Sequence, residues 1–468
     1  MLARQSRYRL IAQAALQSSI KHLFLGHHRD DQVETLLMRM TRDAHPSFLA
    51  FQGMSEGGPV PCCDSIWGAR NDELSLTNAN VVEKAGSTLS GNMELTRTNP
   101  PDVTTPLYGM TGHLRSLPSG GITVYRPLLP FPKSVLVQTC DVNGISFVRD
   151  KTNDDPGLTR RNTIRHLRAH YQLPRALQDQ SLLDLCRRSR EMLETTQRRG
   201  RSSLGRIELR SLDLRSGSMV VRVPKDLAGL DSGDSRAVAN MVVRLTKMVS
   251  PRPSDDMPTL APEHLVKRFL DLLGHRCWEQ QDGPPPTMTI HRVFWEALCG
   301  PGVVGRPDTV WRLSRQPMRQ DEIAHTTLTF EVDDAEGTPT HTVWSKRILW
   351  DYRYWLRIRA SSAEALKQMN VRPYRVSDNP ELRKNLTGSQ WQHLTEILHQ
   401  SAAAKIRYTL PVITFQDSVI AFPTLPFHAD PHSVLQDWDI YYKVIEDLGL
   451  MKGAVESESL SLDTAERI

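Results

Sequence analysis

The sequence predicts an α/β chain: an open parallel sheet in the N-terminal third, then a helical linker, then an α+β C-terminal domain. Three observations predict it. Residues 23–25 are apolar, Gly26 offers a sharp turn, and Val33, Leu36, Leu37 and Met40 follow at helical spacing, so a strand runs into a core-facing helix. Positive charge is unevenly placed: the net charge is +5, yet residues 160–210 hold 13 arginines against 5 acids. Residues 350–359 alternate between two faces with the period of a half-exposed strand.

A chain of 468 residues can bury two or three cores. No apolar run is long enough to span a bilayer. Cys62, Cys63, Cys140, Cys186, Cys277 and Cys299 are scattered and form no CxxC pair. That argues against a disulfide framework, a zinc ribbon or a redox dithiol, and fits a reducing compartment, mitochondrial matrix or cytoplasm. Residues 1–22 predict an amphipathic helix. Its Arg4, Arg7 and Arg9, with no acid before Asp30, also fit a transit peptide, but the helix reads better as part of the first domain.

Where strand meets helix stand His27, His28, Arg29, Asp30, Asp31, Gln32 and Glu34. In open α/β sheets the crevice at the carboxyl ends of the strands is where ligands bind. Asp31-x-x-Glu34 fits a capping box, which spends both carboxylates on backbone N–H groups and leaves the histidines and Asp30 unexplained. A metal-dependent hydrolase built on His27, His28, Asp30 and Asp31 is a second reading.

A third comes from resemblance. GHHRDDQVETLLMRM resembles the GHHxDDQxET motif of the tRNA(Ile)-lysidine synthetases, a branch of the PP-loop ATPases. Ala3, Arg4, Arg7 and Tyr8 match the AR…RY pattern that precedes it in that family, and residues 51–54 resemble its GL-x-GM segment. Residues 125–129 match its RPLL, and residues 150–155 with 160–165 resemble D-x-TN-x-D…RN-x-IR. The resemblance covers residues 3–54 and 121–170. It implies a Rossmann-like, adenine nucleotide alpha hydrolase-like sheet over residues 1–175. The implied ligase uses ATP and Mg²⁺ to adenylate the wobble cytidine of tRNA(Ile) and displaces AMP with L-lysine.

The same resemblance implies Asp30, Asp31, Glu34 and Arg161 as catalytic residues. It implies His27, His28, Arg126, Lys133, Asp150, Asn153, Asn162 and Arg165 as ATP- or substrate-binding. No dedicated metal site is assigned, although Asp30 or Asp31 could hold Mg²⁺ on the phosphates. Arg161 and Arg165, at i and i+4, share a helix face suited to phosphate. The family's phosphate-binding SGGxDS loop stands nowhere in this sequence. The sheet is therefore expected to be incomplete at its N-terminus, and this chain alone to be inactive, or a non-catalytic tRNA-binding remnant.

Residues 55–118, rich in Gly, Pro, Ser, Thr and Asn, read as a disordered insert. A helix is expected from residue 132 to about 143, ended by Gly144, and a strand at 145–148. Residues 176–250 form the arginine-rich helical linker. Leu182, Leu185, Cys186 and Leu193 make its apolar stripe, and Arg187, Arg188 and Arg190 fall away from it, placed for tRNA phosphates and free of any role in the fold. Residues 251–468 form the α+β domain. There MTIHRVFW is strand-like, and the 350–359 strand turns Arg353, Trp355, Arg357 and Arg359 to an open face that could grip RNA. Residues 406–423 predict a hairpin. The expected partners are tRNA(Ile) and L-lysine, with a homodimer as a further expectation and no membrane. In a form completed with its upstream loop, Glu34→Gln and Arg161→Ala are expected to abolish lysine transfer and to leave the melting temperature nearly unchanged.

Overall fold

The strand–turn–helix around Gly26 forms as its pattern requires. Helix α1 (Leu2–Gln17) leads into β1 (His22–Phe24), and α2 (Arg29–Arg42) follows the turn. The computed structural model describes residues 2–42, 48–70, 121–148, 150, 152, 155–229, 232–253, 256–274, 285–298, 308–333, 342–402, 404–425, 427–430, 433–443 and 450–452. The chain divides into two units. One holds residues 1–63, 68–71 and 120–199; the other holds 64–67 and the chain from 200 onward.

In the first unit β1 pairs in parallel with β3 (Thr123–Tyr125), Leu23 opposite Val124, and β2 (Gly57–Pro59) runs antiparallel along the other edge of β3. Val124 and Ile122 are buried, while Phe24 is exposed. The parallel pair agrees with the α/β class. The expected strand at 145–148 is irregular backbone instead. The disordered insert also needs correction at its start. Residues 57–59 join the sheet, and Val60, Cys63 and Ala69 are buried. Residues 71–118 lie outside the described residues.

Three helices complete this unit: α3 (Lys133–Val142), α4 (Arg160–His170) and α5 (Asp179–Leu204). Gly144 follows α3 at φ +62°, the left-handed conformation that ends helices. Thr159 caps α4, its hydroxyl accepting from the Asn162 N–H at 3.1 Å. The apolar face of α2, Val33, Leu36 and Leu37, is buried against Phe51, Ile164 of α4, and Leu182 and Cys186 of α5. That packing brings the polar faces of α2 and α4 together.

The 48–54 segment is pinned from both sides. Arg39 of α2 donates to the Ala50 carbonyl, and Ser189 of α5 to the Phe48 carbonyl at 2.8 Å. Gln32 holds residue 54 with both ends of its amide, accepting from the Met54 N–H at 2.7 Å and donating to the Met54 carbonyl at 3.3 Å. Gly53 sits at φ +69°, and a Cβ there would overlap the Gln32 amide. Gly53→Ala should therefore cost about 1–3 kcal/mol, through the disfavoured backbone and the displaced amide. Guanidinium unfolding of the two proteins checks it, and an unchanged midpoint would refute it.

The second unit is antiparallel and begins inside the expected linker. β4 (Glu208–Asp213) and β5 (Ser218–Pro224) join a five-stranded sheet with β6 (Thr287–Ile290), β7 (Val293–Ala297) and β8 (Asp308–Arg315), in the order β4-β5-β8-β7-β6. The apolar faces of α6 (Ser232–Val249) and α7 (Glu263–Leu273) are buried in the same core, with Trp295, Trp311 and Phe269. Residues 200–250 are thus part of a domain, not a connector. MTIHRVFW is two strands, β6 and β7, reversed at His291 and Arg292, both at positive φ.

Two short strands follow, β9 (Leu328–Thr329) and β10 (Val343–Trp344), and the expected single strand at 350–359 is also a hairpin. β11 (Ile348–Trp350) turns at Asp351 and Tyr352 into β12 (Tyr354–Ala360), with Trp350 opposite Tyr354. β12 also pairs with a short strand at Val343–Trp344 and, along its other edge, with the strand Leu435–Tyr442. The hairpin expected at 406–423 forms between Pro411–Phe415 and Ser418–Phe422.

Candidate active site

Asp30 and Asp31 open α2. Asp31 caps, but one turn earlier than the Asp31-x-x-Glu34 pattern expects: its Oδ2 accepts from the His28 backbone N–H at 3.0 Å. Glu34 does not cap. It is buried and turned toward α4, where its Oε1 accepts from Arg165 Nε at 2.7 Å and its Oε2 lies 3.3 Å from Arg161 Nε. Asp30 is held twice, its Oδ2 accepting from the Lys133 N–H at 2.8 Å and its Oδ1 from Arg168 Nη2 at 3.1 Å. Arg165 Nη2 lies 3.7 Å from Asp31. The two helices therefore meet as an antiparallel ladder. Going up α4, Arg161, Arg165 and Arg168 face Glu34, then Asp31, then Asp30.

His28 lies between two of these acids, Nδ1 3.6 Å from Asp30 and Nε2 3.5 Å from Asp31. His27 is half-buried. Burial pushes its pKa below the usual histidine value; Asp31 opposes that, and Arg126, Arg161 and Arg4 reinforce it. Burial alone would raise the Asp30 carboxyl, but the Lys133 N–H and Arg168 outweigh it, so it titrates below the usual carboxylate value. His27 Nδ1 is buried without a hydrogen-bond partner, and Glu34 Oε2 and Arg161 Nε face each other as an ion pair without a well-aligned hydrogen bond. Buried polar atoms are ordinarily satisfied, so this cluster has unused capacity for a polar ligand.

The other expected residues divide. Arg126 is buried and donates from Nη1 to the Ser55 carbonyl at 2.9 Å, a clamp that also sets charge beside His27. Lys133 contributes its backbone N–H, and its side chain is exposed. Asn162 gives both amide hydrogens to the carbonyls of Thr152 and Asp155, at 2.8 and 2.9 Å, and so shapes the loop before α4. Asp150 is exposed and accepts from Thr152, whose hydroxyl and N–H lower its pKa. Asn153 lies outside the described residues.

Three of the expected RNA contacts are corrected. Arg190 does not fall away from α5: its Nε donates to the Gln52 carbonyl at 2.7 Å and its Nη2 to the Met54 carbonyl at 2.6 Å. Arg353 is fully buried, for it ends the tight β11–β12 turn and points inward. Arg357 is mostly buried, its Nε donating to Asp439 Oδ2 at 2.8 Å. Arg187 is exposed and paired with Glu191, Arg188 is exposed, and Arg359 is half-exposed beside Trp344. Sequence reasoning missed Arg168 and Asp179. The 161, 165, 168 spacing, i, i+4 and i+7, was the signal for the first.

The donor set does not converge as a metal centre would. Among the described residues no three His, Cys, Asp or Glu side chains are grouped to hold a metal ion. Asp30 has both oxygens committed, to an N–H and a guanidinium. Asp31 Oδ1 lies 3.7 Å from Arg165 Nη2, beyond hydrogen-bond distance. Among the described residues no helix is long and apolar enough to cross a membrane.

Comparison with known proteins matches residues 1–65 and 92–169 to the PP-loop domain family. A probable tRNA(Ile)-lysidine synthase of Schizosaccharomyces pombe is 21% identical over 440 residues, covering 91% of this chain and 74% of its own length. The tRNA(Ile)-lysidine synthase of Anaplasma marginale is 24% identical over 440 residues, covering 90% of this chain and 68% of its own length. That of Bradyrhizobium diazoefficiens is 29% identical over 158 residues, 34% of this chain and 27% of its own length. The chain therefore carries a PP-loop domain, which holds the acid–arginine ladder, and is similar over most of its length to tRNA(Ile)-lysidine synthases.

Proposed function

We propose that the chain acts as a tRNA(Ile)-lysidine synthetase: it adenylates the wobble cytidine of tRNA(Ile) with ATP and replaces AMP by L-lysine. The observation that carries this is the ladder between α2 and α4, where Glu34 Oε2 and Arg161 Nε face each other as an ion pair beside His27, whose Nδ1 is buried without a hydrogen-bond partner. Phosphoryl attack needs charge neutralised and groups held in line more than it needs covalent catalysis. Arg161, the most exposed of the three arginines, meets phosphate charge. Glu34 and Asp31 offer negative charge to the lysine ammonium. Arg126 and Asn162 hold the surrounding loops. Mg²⁺ supplies neutralisation of the phosphates when nucleotide is bound. Exposed Arg187 and Arg188 and half-exposed Arg359 are the arginines we assign to tRNA phosphates.

The test is to incubate the protein with ATP, Mg²⁺, L-lysine and tRNA(Ile), digest the RNA and look for lysidine by mass spectrometry, with ATP affinity measured in parallel by calorimetry. Lysidine that requires both ATP and lysine, and an ATP affinity that Arg161→Ala weakens by about tenfold, are the expected results. An ATP affinity indifferent to Arg161→Ala would remove the cluster from the nucleotide site. ATP binding without lysidine would leave nucleotide binding and withdraw the ligase reading for this chain.

A further inference from the structure

Arg168 lies outside every motif the sequence singles out, yet it is the most enclosed arginine of the ladder, its side chain 14% exposed against 29% for Arg165 and 39% for Arg161. One nitrogen, Nη2, serves two acids, Asp30 at 3.1 Å and Asp179 at 2.8 Å. Asp30 is the second residue of α2, Lys133 the first of α3 and Asp179 the first of α5. Three helix N-termini thus meet at this corner, and Arg168 comes to it from the last turn of α4. The dipoles agree with the charges: acids sit at N-terminal ends and the cation at a C-terminal end.

We propose that Arg168 is a positioning residue for the site: strung between Asp179 and Asp30, it locks the Asp30 carboxylate across the first turn of α3 and so sets where α2 presents His28 and Asp31. This rests on the reading of the cluster as a nucleotide site. The groups facing Asp30 are Arg168 from α4, the Lys133 N–H from α3, His28 from the turn before α2 and, through Arg168, Asp179 from α5. No other arginine of the ladder can replace Arg168, since Arg161 faces Glu34 and Arg165 is drawn to Glu34 and Asp31. Without Arg168, Asp30 keeps one N–H and has the His28 ring beside it, Nδ1 3.6 Å away, which would draw His28 off Asp31.

The experiment uses the full chain and three variants, Arg168→Gln, Arg168→Lys and Asp179→Asn. It reads ATP affinity by calorimetry and the Asp30 carboxyl titration by carbon NMR, the signal assigned with Asp30→Asn. Arg168→Gln should weaken ATP binding by about tenfold, the size of one charge-assisted hydrogen bond, and raise the Asp30 titration toward the ordinary aspartate value. Arg168→Lys should recover part of both effects, because an ammonium keeps the charge but cannot span both acids as readily. Asp179→Asn, at a half-exposed position that leaves the ladder itself intact, should move both readouts the same way by less. A merely structural arginine would lower the melting temperature and leave the Asp30 titration of the folded protein in place. An unmoved Asp30 titration in Arg168→Gln, or in Asp179→Asn should Arg168→Gln fail to fold, overturns the proposal. A shifted Asp30 titration in a protein that binds no ATP supports the positioning and overturns the nucleotide reading instead.

Discussion

Replacing Arg353 with alanine should destabilise the second unit by about 3–5 kcal/mol, the usual cost of breaking a buried charge network from one side. The guanidinium is fully buried, and its three nitrogens each have a task. Nε donates to Asp351 at 2.8 Å, Nη2 to the Thr409 carbonyl at 2.6 Å and Nη1 to the Ser216 carbonyl at 3.4 Å. These acceptors come from three segments far apart in sequence. Truncation leaves two buried carbonyls without that donor and a void beside the Tyr354 ring, which lies 5.1 Å from the guanidinium carbon. Asp351 keeps Arg315 at 3.3 Å, so the loss comes mainly from the carbonyls and the cavity. Guanidinium unfolding followed by tryptophan fluorescence measures it. RNA affinity of the folded fraction should not change, and a variant that stays stable but loses RNA would return Arg353 to the surface role expected from the sequence.

Glu34→Gln should cut lysidine formation by about 10²–10³, the scale on which a placed charge acts in a polar, water-excluded site. It should also lower stability, which revises the expectation drawn from the sequence. Glu34 is 3% exposed in its side chain and faces two guanidiniums; the amide cannot neutralise either. Arg165 and Arg161 reach solvent, so screening limits the loss to about 1–2 kcal/mol. The two effects separate by temperature. Activity should be lost at temperatures well below the lowered melting point, where the variant is folded. A variant as active as the parent at such temperatures would leave Glu34 a structural ion-pair partner.

Much of the first unit follows from sequence alone. Val33, Leu36 and Leu37 at helical spacing dictate which face of α2 is buried; Asp31 and Glu34 fall outside that face, and Asp30 precedes it in the first turn. The same period places Arg161, Arg165 and Arg168 on one stripe of α4. What the period cannot say is that these two stripes meet, or that Arg168 reaches Asp30 and Asp179 while Arg161 stays half-exposed. Helical spacing reports which side chains share a face, and only packing decides what that face meets. Arg190 shows the same limit: it stands beside the buried face of α5, where a long side chain can turn inward to carbonyls that residues 48–54 bring to it from elsewhere in the chain.

The 350–359 segment shows why alternation misleads. Trp350 and Tyr354 are direct cross-strand partners, so they share a face, and their numbers differ by an even count. A two-faced pattern therefore runs unbroken through the turn between them. The residues at the turn, Asp351 and Tyr352, take positive φ without a glycine to announce it. The local pattern determined that apolar side chains alternate; the tertiary structure decided that the chain reverses there. That reversal sends Arg353 into the core, because only pairing with other strands fixes which face is inside.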